Sequence, residues 1–427
     1  MTHHETVAYL YGLERFGMIF GLESITRLLQ VLGNPHRDLR VIHVGGTNGK
    51  GSVSAMMASV LQQEGYRVGL YTSPHLVSFT ERIQINGVEI PWEEVAELTD
   101  LLRRRVEEEH IPPCFTFFDF TTAIAMYYFF IHEVDVAILE VGLGGRLDST
   151  NVIHPLITVI TNVSRDHLDI LGEKIEDIAR EKAGIVKKVI PLISGATQPE
   201  IIEIMEQECI KKEAPLRLMK RDFCGERSAS GTLSFYGRIW RMADIRLGLA
   251  GAFQIPNAIV ALAALEALQE AGYAVGENSI YNGLAKVRWP GRLELLPTRP
   301  RILLDGAHNP SAAGVLKACL EEEFDYRRLY MVMGIMADKE VAVIVSALAP
   351  LADMLIATSP RNPRAMSAQR IAEMAENCCT AVAAIEDVRQ GVAYAREKAE
   401  GDDLIVVTGS FYTVGEARDF LLSKGLV

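Results

Sequence analysis

At 427 residues the chain exceeds what one hydrophobic core organises, since cores stop growing at roughly 250 to 300 residues, so two domains are the expectation. With 49% hydrophobic and 23% charged residues the composition is that of a compact globular protein and excludes a large disordered region. A formal charge of -12 excludes a sequence-independent nucleic-acid binder, which needs a basic surface to displace counterions from phosphates, but leaves room for a basic pocket that takes a small anion.

The chain opens Met-Thr-His-His-Glu, with neither a basic nor an apolar leader segment, and reads as cytoplasmic. Short Val- and Ile-rich runs then alternate with helical patterns, the signature of a parallel sheet covered on both faces. The strand candidates in the first part are 40–44, 68–72, 134–141, 156–161 and 189–194. One hairpin, 82–85 with 88–90, turns on Asn86-Gly87, a pair suited to positive φ. The apolar helical stretch Ala123–Ile131 is far shorter than the roughly 20 residues that cross a bilayer.

From 216 to 249 short polar and aromatic segments predict a small antiparallel patch, and a helix is expected over 256–271, ended by Gly272. The stretch from Trp289-Pro290-Gly291-Arg292 to Pro300 reads as a linker. After it the alternation restarts, with strands at 301–304, 329–333, 354–357, 380–385 and 404–408. The fold class is therefore α/β with two domains: residues 1–296, a parallel-sheet domain of the P-loop ATPase type bearing the antiparallel patch, and residues 297–427, a smaller Rossmann-like domain. Six cysteines, Cys114, Cys209, Cys224, Cys319, Cys378 and Cys379, show no metal-ligand spacing and read as reduced thiols without a catalytic role.

The most informative segment is the strand Val41–Val44 running into Gly45-Gly46-Thr47-Asn48-Gly49-Lys50-Gly51-Ser52, with an amphipathic helix expected over 53–63. Glycines let backbone N–H groups converge on phosphate oxygens, a helix N-terminus adds partial positive charge, and a lysine reaches the outer phosphates. The string departs from G-x-x-x-x-G-K-[ST]: Val44 stands where the first glycine would fall, and Gly51 follows the lysine where a magnesium-binding hydroxyl is usual. A standard kinase loop is thereby disfavoured.

Further blocks follow in order: Thr72-Ser73-Pro74-His75-Leu76; Glu81-Arg82-Ile83; Glu140-Val141-Gly142-Leu143-Gly144-Gly145-Arg146-Leu147-Asp148; Asp166-His167; Glu181-Lys182-Ala183-Gly184-Ile185; Asp305-Gly306-Ala307-His308-Asn309-Pro310; and Gly409-Ser410-Phe411-Tyr412. Together with the G-T-N-G-K-G-S loop, this series resembles the folylpolyglutamate synthases and dihydrofolate synthases of the Mur ligase superfamily, across both domains.

The resemblance implies an ATP-dependent ligase that adds L-glutamate to dihydropteroate, to reduced folates or to both, acting as a monomer on small molecules, with no nucleic-acid or membrane partner. Thr47, Asn48, Gly49, Lys50, Gly51 and Ser52 would hold the nucleotide phosphates, joined by Asn257, Arg292, Asp305 and His308. Ser73, Glu140 and His167 would hold magnesium, at two sites. A carboxylate such as Glu140 at the end of a buried strand suits a hard cation, whereas His167, on its own residues, reads as a hydrogen-bonded loop histidine. Most lysines placed like Lys182 are ordinary surface residues. The resemblance instead implies a carbamylated, catalytic Lys182, alongside Lys50 and His167, and burial would supply the neutral amine that reacts with carbon dioxide.

The organic acid would lie against Phe20, Gly21, Leu22, Thr116, Phe118, Asp119, Leu147, Asp148 and Ser149. Phe118 stacks on a pterin in that reading, although aromatics at helical spacing are more often core. Three features depart from the family pattern: Asp119 replaces a glutamate, Ser164-Arg165 replace smaller apolar residues, and Phe253-Gln254 replaces a His-Gln pair. The nearest rival is a Mur-type ligase acting on a cell-wall nucleotide precursor, and rivals of other classes are a non-enzymatic nucleotide-binding module and a small-molecule kinase.

Overall fold

The Val- and Ile-rich runs form one parallel-dominated sheet in each half of the chain. The computed structural model describes residues 1–13, 21–112 and 115–426, so Phe20 and Cys114 lie outside the described residues. Two units emerge: Met1–Pro74, Phe79–Gly248 and Gln254–Val287 make the first, and His75–Ser78, Leu249–Phe253 and Arg288–Val427 make the second.

The first unit contains β1 (Val41–Gly45), β2 (Val68–Tyr71), β3 (Ile83–Ile85), β4 (Val88–Glu89), β5 (Val136–Glu140), β6 (Ile157–Ile160), β7 (Leu192–Ser194) and β8 (Leu216–Leu218) in one eight-stranded sheet, ordered β4-β3-β2-β5-β1-β6-β7-β8. Strands β2, β5, β1, β6, β7 and β8 run parallel, and the β3–β4 hairpin adds an antiparallel edge whose turn has both Asn86 and Gly87 at positive φ. Every residue of β1, β5 and β6 is buried, as expected for a sheet covered on both faces. The register pairs Val44 with Glu140 and Gly45 with Ile160. The C-terminal ends of β5, β1 and β6 are thus level, which is where ligands collect in open parallel sheets.

Two expectations for this unit need correction. Leu216–Leu218 does not join the antiparallel patch: it pairs in parallel with β7, extending the large sheet. The patch is β9 (Cys224–Arg227), β10 (Leu233–Tyr236) and β11 (Arg241–Ile245). The helix after the glycine loop, Lys50–Glu64, is buried on nearly every side through Leu61 and is not amphipathic, because the helices Gln254–Glu270 and Glu277–Lys286 pack on the faces that sequence pattern alone would leave to solvent. Its small residues Ser52, Ser54, Ala55 and Ala58 permit that approach, and Ser59 Oγ donates to Gly283 O at 2.7 Å.

The second unit contains β12 (Glu294–Leu296), β13 (Arg301–Leu304), β14 (Leu329–Met333), β15 (Met354–Ser359), β16 (Val382–Asp387) and β17 (Leu404–Thr408), ordered β12-β13-β17-β14-β15-β16. Alternate residues serve opposite faces: Leu303, Met331, Met333, Leu355, Leu404 and Val406 pack into one core cluster, and Ile302, Leu304, Val332, Ile356, Ile405 and Val407 into another. The segment read as a linker contains β12, which pairs antiparallel with β13, so residues 288–296 pack with this sheet. Buried Leu293 and Leu296 drive that pairing despite the surrounding prolines.

The described cysteines Cys209, Cys224, Cys319, Cys378 and Cys379 are unpaired. No helix among the described residues is long and apolar enough to cross a membrane.

The small sheet is tied to the first unit by one buried carboxylate. Glu266, on the helix Gln254–Glu270 and 1% exposed, accepts from the backbone N–H groups of Arg238, Ile239 and Trp240 at 3.0, 2.9 and 2.6 Å. Hydrogen bonds to a buried charge are among the stronger ones, so Glu266→Ala is expected to lower unfolding stability by about 3 kcal/mol. A urea-denaturation midpoint unchanged from the wild type would contradict this.

Candidate active site

The loop after β1 is shaped by residues that cannot carry a side chain. Gly46 has φ +137 and a Cβ there would sit 2.0 Å from Thr161 Oγ1; Gly49 has φ +82 and a Cβ there would sit 2.4 Å from Asn257 Oδ1. The residues following β6 latch the loop from the other side. Thr47 N donates to Asn162 O at 2.9 Å, Asn48 N donates to Asn162 Oδ1 at 3.0 Å, and Asn48 O accepts from Thr161 Oγ1 at 2.7 Å and Asn162 Nδ2 at 2.9 Å. Ser164, one of the departures noted above, accepts from Thr47 Oγ1 through its carbonyl at 3.1 Å and donates its N–H back to the same hydroxyl at 3.0 Å.

The helix begins at Lys50, and Gly49 gives it no side-chain cap. Its first-turn N–H groups, including those of Gly51 and Ser52, therefore lie at a helix N-terminus whose partial positive charge suits an anion. Lys50 Nζ donates to Gly46 O at 3.2 Å and Thr47 O at 3.1 Å. Behind the loop, Gln254 Nε2 donates to Ser52 Oγ at 3.3 Å and Asn257 Nδ2 to Gln254 Oε1 at 2.8 Å, so Asn257 is held beside Gly49.

Lys182 is not a surface residue. On the helix Ile175–Ala183 it is 4% exposed, and its Nζ donates to Gly46 O at 2.9 Å, the same oxygen that Lys50 approaches. Burial first, and the charge of Lys50 second, pull its pKa down to about 7, against the opposing pull of Asp166 and Asp148.

Glu140 closes β5, is 5% exposed and accepts from Ser73 N at 3.3 Å, so the end of β2 is drawn toward the end of β5. A carboxylate beside a serine offers the hard oxygens that suit magnesium, which takes one or two carboxylates and completes its shell with phosphates and water. Among the described residues no cluster of three His, Cys, Asp or Glu side chains forms a metal cage of its own. His167 has φ +51 and precedes the short helix Leu168–Leu171; its ring is 38% exposed, with Nε2 3.9 Å from Asp166 Oδ1.

The residues assigned to the organic acid form a hydrogen-bonded frame. Thr116 caps the helix Phe117–Ile131, its Oγ1 accepting from Asp119 N at 3.0 Å, while Asp119 Oδ2 accepts from Thr116 N at 2.9 Å. Asp119 Oδ1 accepts from Ser149 Oγ at 2.7 Å. Asp148 is buried, which raises its pKa, and its oxygens gather Leu143 N at 2.9 Å and Thr150 N at 3.0 Å. Phe118 stacks on Tyr71 with centroids 6.0 Å apart and covers Gly142 so closely that a Cβ there would lie 2.5 Å from its ring. Gly21 and Leu22 lead into the helix Glu23–Val31, with Leu22 packed on the core, and Leu147 is half-buried.

In the second unit Asp305 follows β13 and is 6% exposed, with Oδ2 accepting from Leu293 N and Oδ1 from Ala307 N, both at 3.0 Å. Burial raises its pKa, partly offset by Arg292. The Arg292 guanidinium lies 4.4 Å over the Phe411 ring, and His308 stands 5.4 Å from the same ring with Nδ1 on Gly306 O at 2.9 Å. Arg292 and His308 therefore meet at Phe411, and both act electrostatically on Asp305. Sequence reasoning missed Thr161, Asn162 and Gln254 as latches of the glycine loop; the readable signal was polar Thr161-Asn162 directly after a buried strand.

A glycine-lined loop after a central parallel strand, followed in the chain by a second parallel sheet, is the architecture of a Mur ligase. Family models agree: a Mur ligase middle domain matches residues 44–265 and a Mur ligase, glutamate ligase domain matches residues 291–411. Within that class the chain belongs to the dihydrofolate synthase/folylpolyglutamate synthase family. It is 36% identical to the Bacillus subtilis dihydrofolate synthase/folylpolyglutamate synthase over 97% of this chain and 98% of that protein. Among solved structures it is similar to Escherichia coli FolC in complex with DHPP and ADP, at a TM-score of 0.90 and 31% identity over 98% of both chains. It is also similar to the Yersinia pestis bifunctional folylpolyglutamate synthase/dihydrofolate synthase complexed with AMPPNP and Mn ion, at a TM-score of 0.87 and 28% identity over 100% of this chain and 98% of that one.

The buried amine makes a measurable claim. In carbon dioxide-free buffer one lysine, absent from the spectrum of Lys182→Arg, should titrate by side-chain NMR near about 7 rather than at the ordinary 10.5. The unfolded chain keeps that proton up to 10.5 while the fold sheds it above about 7, so stability attributable to this group rises with pH across that window and is lowest below it. A Lys182 midpoint above 10 would contradict the burial argument.

Proposed function

We propose that this chain is an ATP-dependent ligase that joins L-glutamate to dihydropteroate, to reduced folates or to both, through an acyl phosphate. The observation that carries the reading is the convergence of Lys50 and Lys182 on Gly46 O at the mouth of the glycine loop, at a helix N-terminus fit for a triphosphate. The family membership supplies the substrate class, since the relatives are named for folate ligation and one neighbour is described with DHPP and ADP. A ligase acting on a cell-wall nucleotide precursor is not favoured by those relatives.

In this mechanism a carboxylate oxygen of the folate precursor attacks the γ-phosphorus of ATP, the bond to the ADP oxygen breaks, and an acyl phosphate forms. The amine of glutamate then attacks the acyl carbon, the amide forms, and inorganic phosphate leaves carrying one oxygen from the substrate carboxylate. A free carboxylate is too poor an electrophile for the second step, which is why the first is needed. Backbone N–H groups from Gly49 to Ser52 cradle the phosphates, Thr47 and Asn48 hold the loop in shape through their bonds to Asn162, and Lys50 turns from its carbonyl partners to the transferring phosphoryl group, so that positive charge meets developing negative charge. Phe118, with the frame built by Thr116, Asp119, Leu147, Asp148 and Ser149 and with Gly21 and Leu22, seats the pterin. Asn257, Arg292, Asp305 and His308 are the remaining nucleotide contacts in this reading.

Magnesium, with Ser73, Glu140 and His167 as its protein ligands and carbamylated Lys182 supporting a second ion, would supply charge neutralisation at the phosphates. Lys182 is suited to that conversion, because an amine with a pKa near about 7 is substantially neutral at physiological pH. Its nitrogen adds to carbon dioxide, a proton leaves to water, and a cation becomes a carbamate anion. Action as a monomer in the cytoplasm belongs to the same reading.

Phosphate release should be seen with dihydropteroate plus glutamate, with a reduced folate plus glutamate, or with both pairs, and should depend on the amino acid. Lys50→Ala should lower turnover by about a hundredfold or more. With carboxylate-labelled substrate, oxygen-18 should appear in the released phosphate; label arriving from solvent instead would overturn the acyl phosphate. Separately, ¹³C-labelled carbon dioxide should give a protein-bound carbamate resonance that Lys182→Arg lacks, and a spectrum identical in the two proteins would exclude carbamylation.

A further inference from the structure

β1 buries one polar side chain that the mechanism above does not use. His43 lies two residues before Gly45, is 0% exposed, and faces the interior of a strand whose other residues are all buried. Its Nε2 stands 2.8 Å from Thr150 Oγ1, which in turn donates to Asp148 Oδ1 at 2.5 Å. Asp148 Oδ1 also receives Thr150 N, and Oδ2 receives Leu143 N at 2.9 Å. With its single proton given to the carboxylate, the Thr150 hydroxyl has only a lone pair to offer the imidazole, so the ring proton sits on Nε2. Burial, with the charge of Lys187 beside it, pushes the His43 pKa down to about 3 and keeps the ring neutral.

The remaining ring nitrogen, Nδ1, is buried without a hydrogen-bond partner, as is Thr158 Oγ1 on the paired residue of β6. A core position with no other duty would be filled at lower cost by leucine or phenylalanine, because an unpaired buried polar atom is unfavourable. The donor at Nε2 is what an apolar residue cannot supply. Its chain of bonds runs from the strand that carries the phosphate loop to the turn carrying Leu147, Asp148 and Ser149. Through Ser149 it continues to Asp119 and the cap of the helix bearing Phe118.

We propose that His43 is a positioning residue that, through Thr150 and Asp148, sets where the organic acid's carboxylate lies relative to the phosphate loop. This rests on the ligase reading. The relay ends on the frame that seats the organic acid rather than on the residues of the phosphate loop, so its loss loosens the seating of that acid, read as a higher KM, while leaving the nucleotide cradle intact.

His43→Leu and Thr150→Val should each raise KM for the organic acid about tenfold, with KM for ATP changed by less than about twofold. The double variant should be no worse than either single one, since both cut the same chain. His43→Gln, whose amide places a donor near the position of Nε2, should recover most of the loss. Nitrogen-15 imidazole spectra of the wild type should show the Nε2–H tautomer at His43. A purely structural role would instead lower the melting temperature and leave both KM values where they were, with no rescue by glutamine. Wild-type protein inert toward both pterin acids would overturn the ligase reading. With wild-type turnover intact, an Nδ1–H tautomer, or an unchanged organic-acid KM in both His43→Leu and Thr150→Val, would overturn the relay alone.

Discussion

Two lysine amines reach the same peptide oxygen, Gly46 O, and the arrangement of the first unit follows from making that possible. Two unit charges a few ångströms apart repel by several kcal/mol at an effective dielectric near ~20, so both amines cannot stay charged there at low cost. Lys182 is the more deeply buried, and its pKa falls to about 7 while Lys50 retains a half-buried setting at the helix start. Thr161 fills the space in which a side chain at position 46 would sit, so the loop can take this path only with glycine there. Loop shape, strand register and lysine chemistry are therefore one constraint.

The same constraint explains why so many polar residues crowd the ends of β5, β1 and β6. Thr161, Asn162 and Ser164 hold the glycine loop in a conformation that it would not keep alone, since glycines lose the most freedom on ordering. Asp148, Asp119, Ser149 and Thr116 do the equivalent for the turns on the other side of β1. In such a frame every member is satisfied by another, which makes the frame rigid and the whole network sensitive to loss of one partner. The aspartate at position 119 reaches both Thr116 and Ser149, so its shorter side chain still closes the cap and the cross-link.

The second unit repeats the logic on a smaller sheet. Asp305 and Phe411 follow the adjacent parallel strands β13 and β17, and Arg292 and His308 meet over the Phe411 ring. An aromatic face under a guanidinium holds that cation in a defined place.

Alternating apolar runs identified both sheets, and the glycine-lysine string with its strand and helix context identified the phosphate loop, because burial periodicity and positive φ leave direct marks on residue choice. Less was legible where two distant segments determine the outcome. The helix Lys50–Glu64 lost its exposed face to helices from beyond residue 250, β8 left the small patch for the large sheet, and β12 formed inside a proline-rich stretch because Leu293 and Leu296 found a core. Lys182 is the clearest case: as a residue on a helix it was indistinguishable from a solvated lysine. Only packing that brings residue 182 against residue 46 removes its water, since desolvation belongs to the folded surroundings and is written in no single segment of chain.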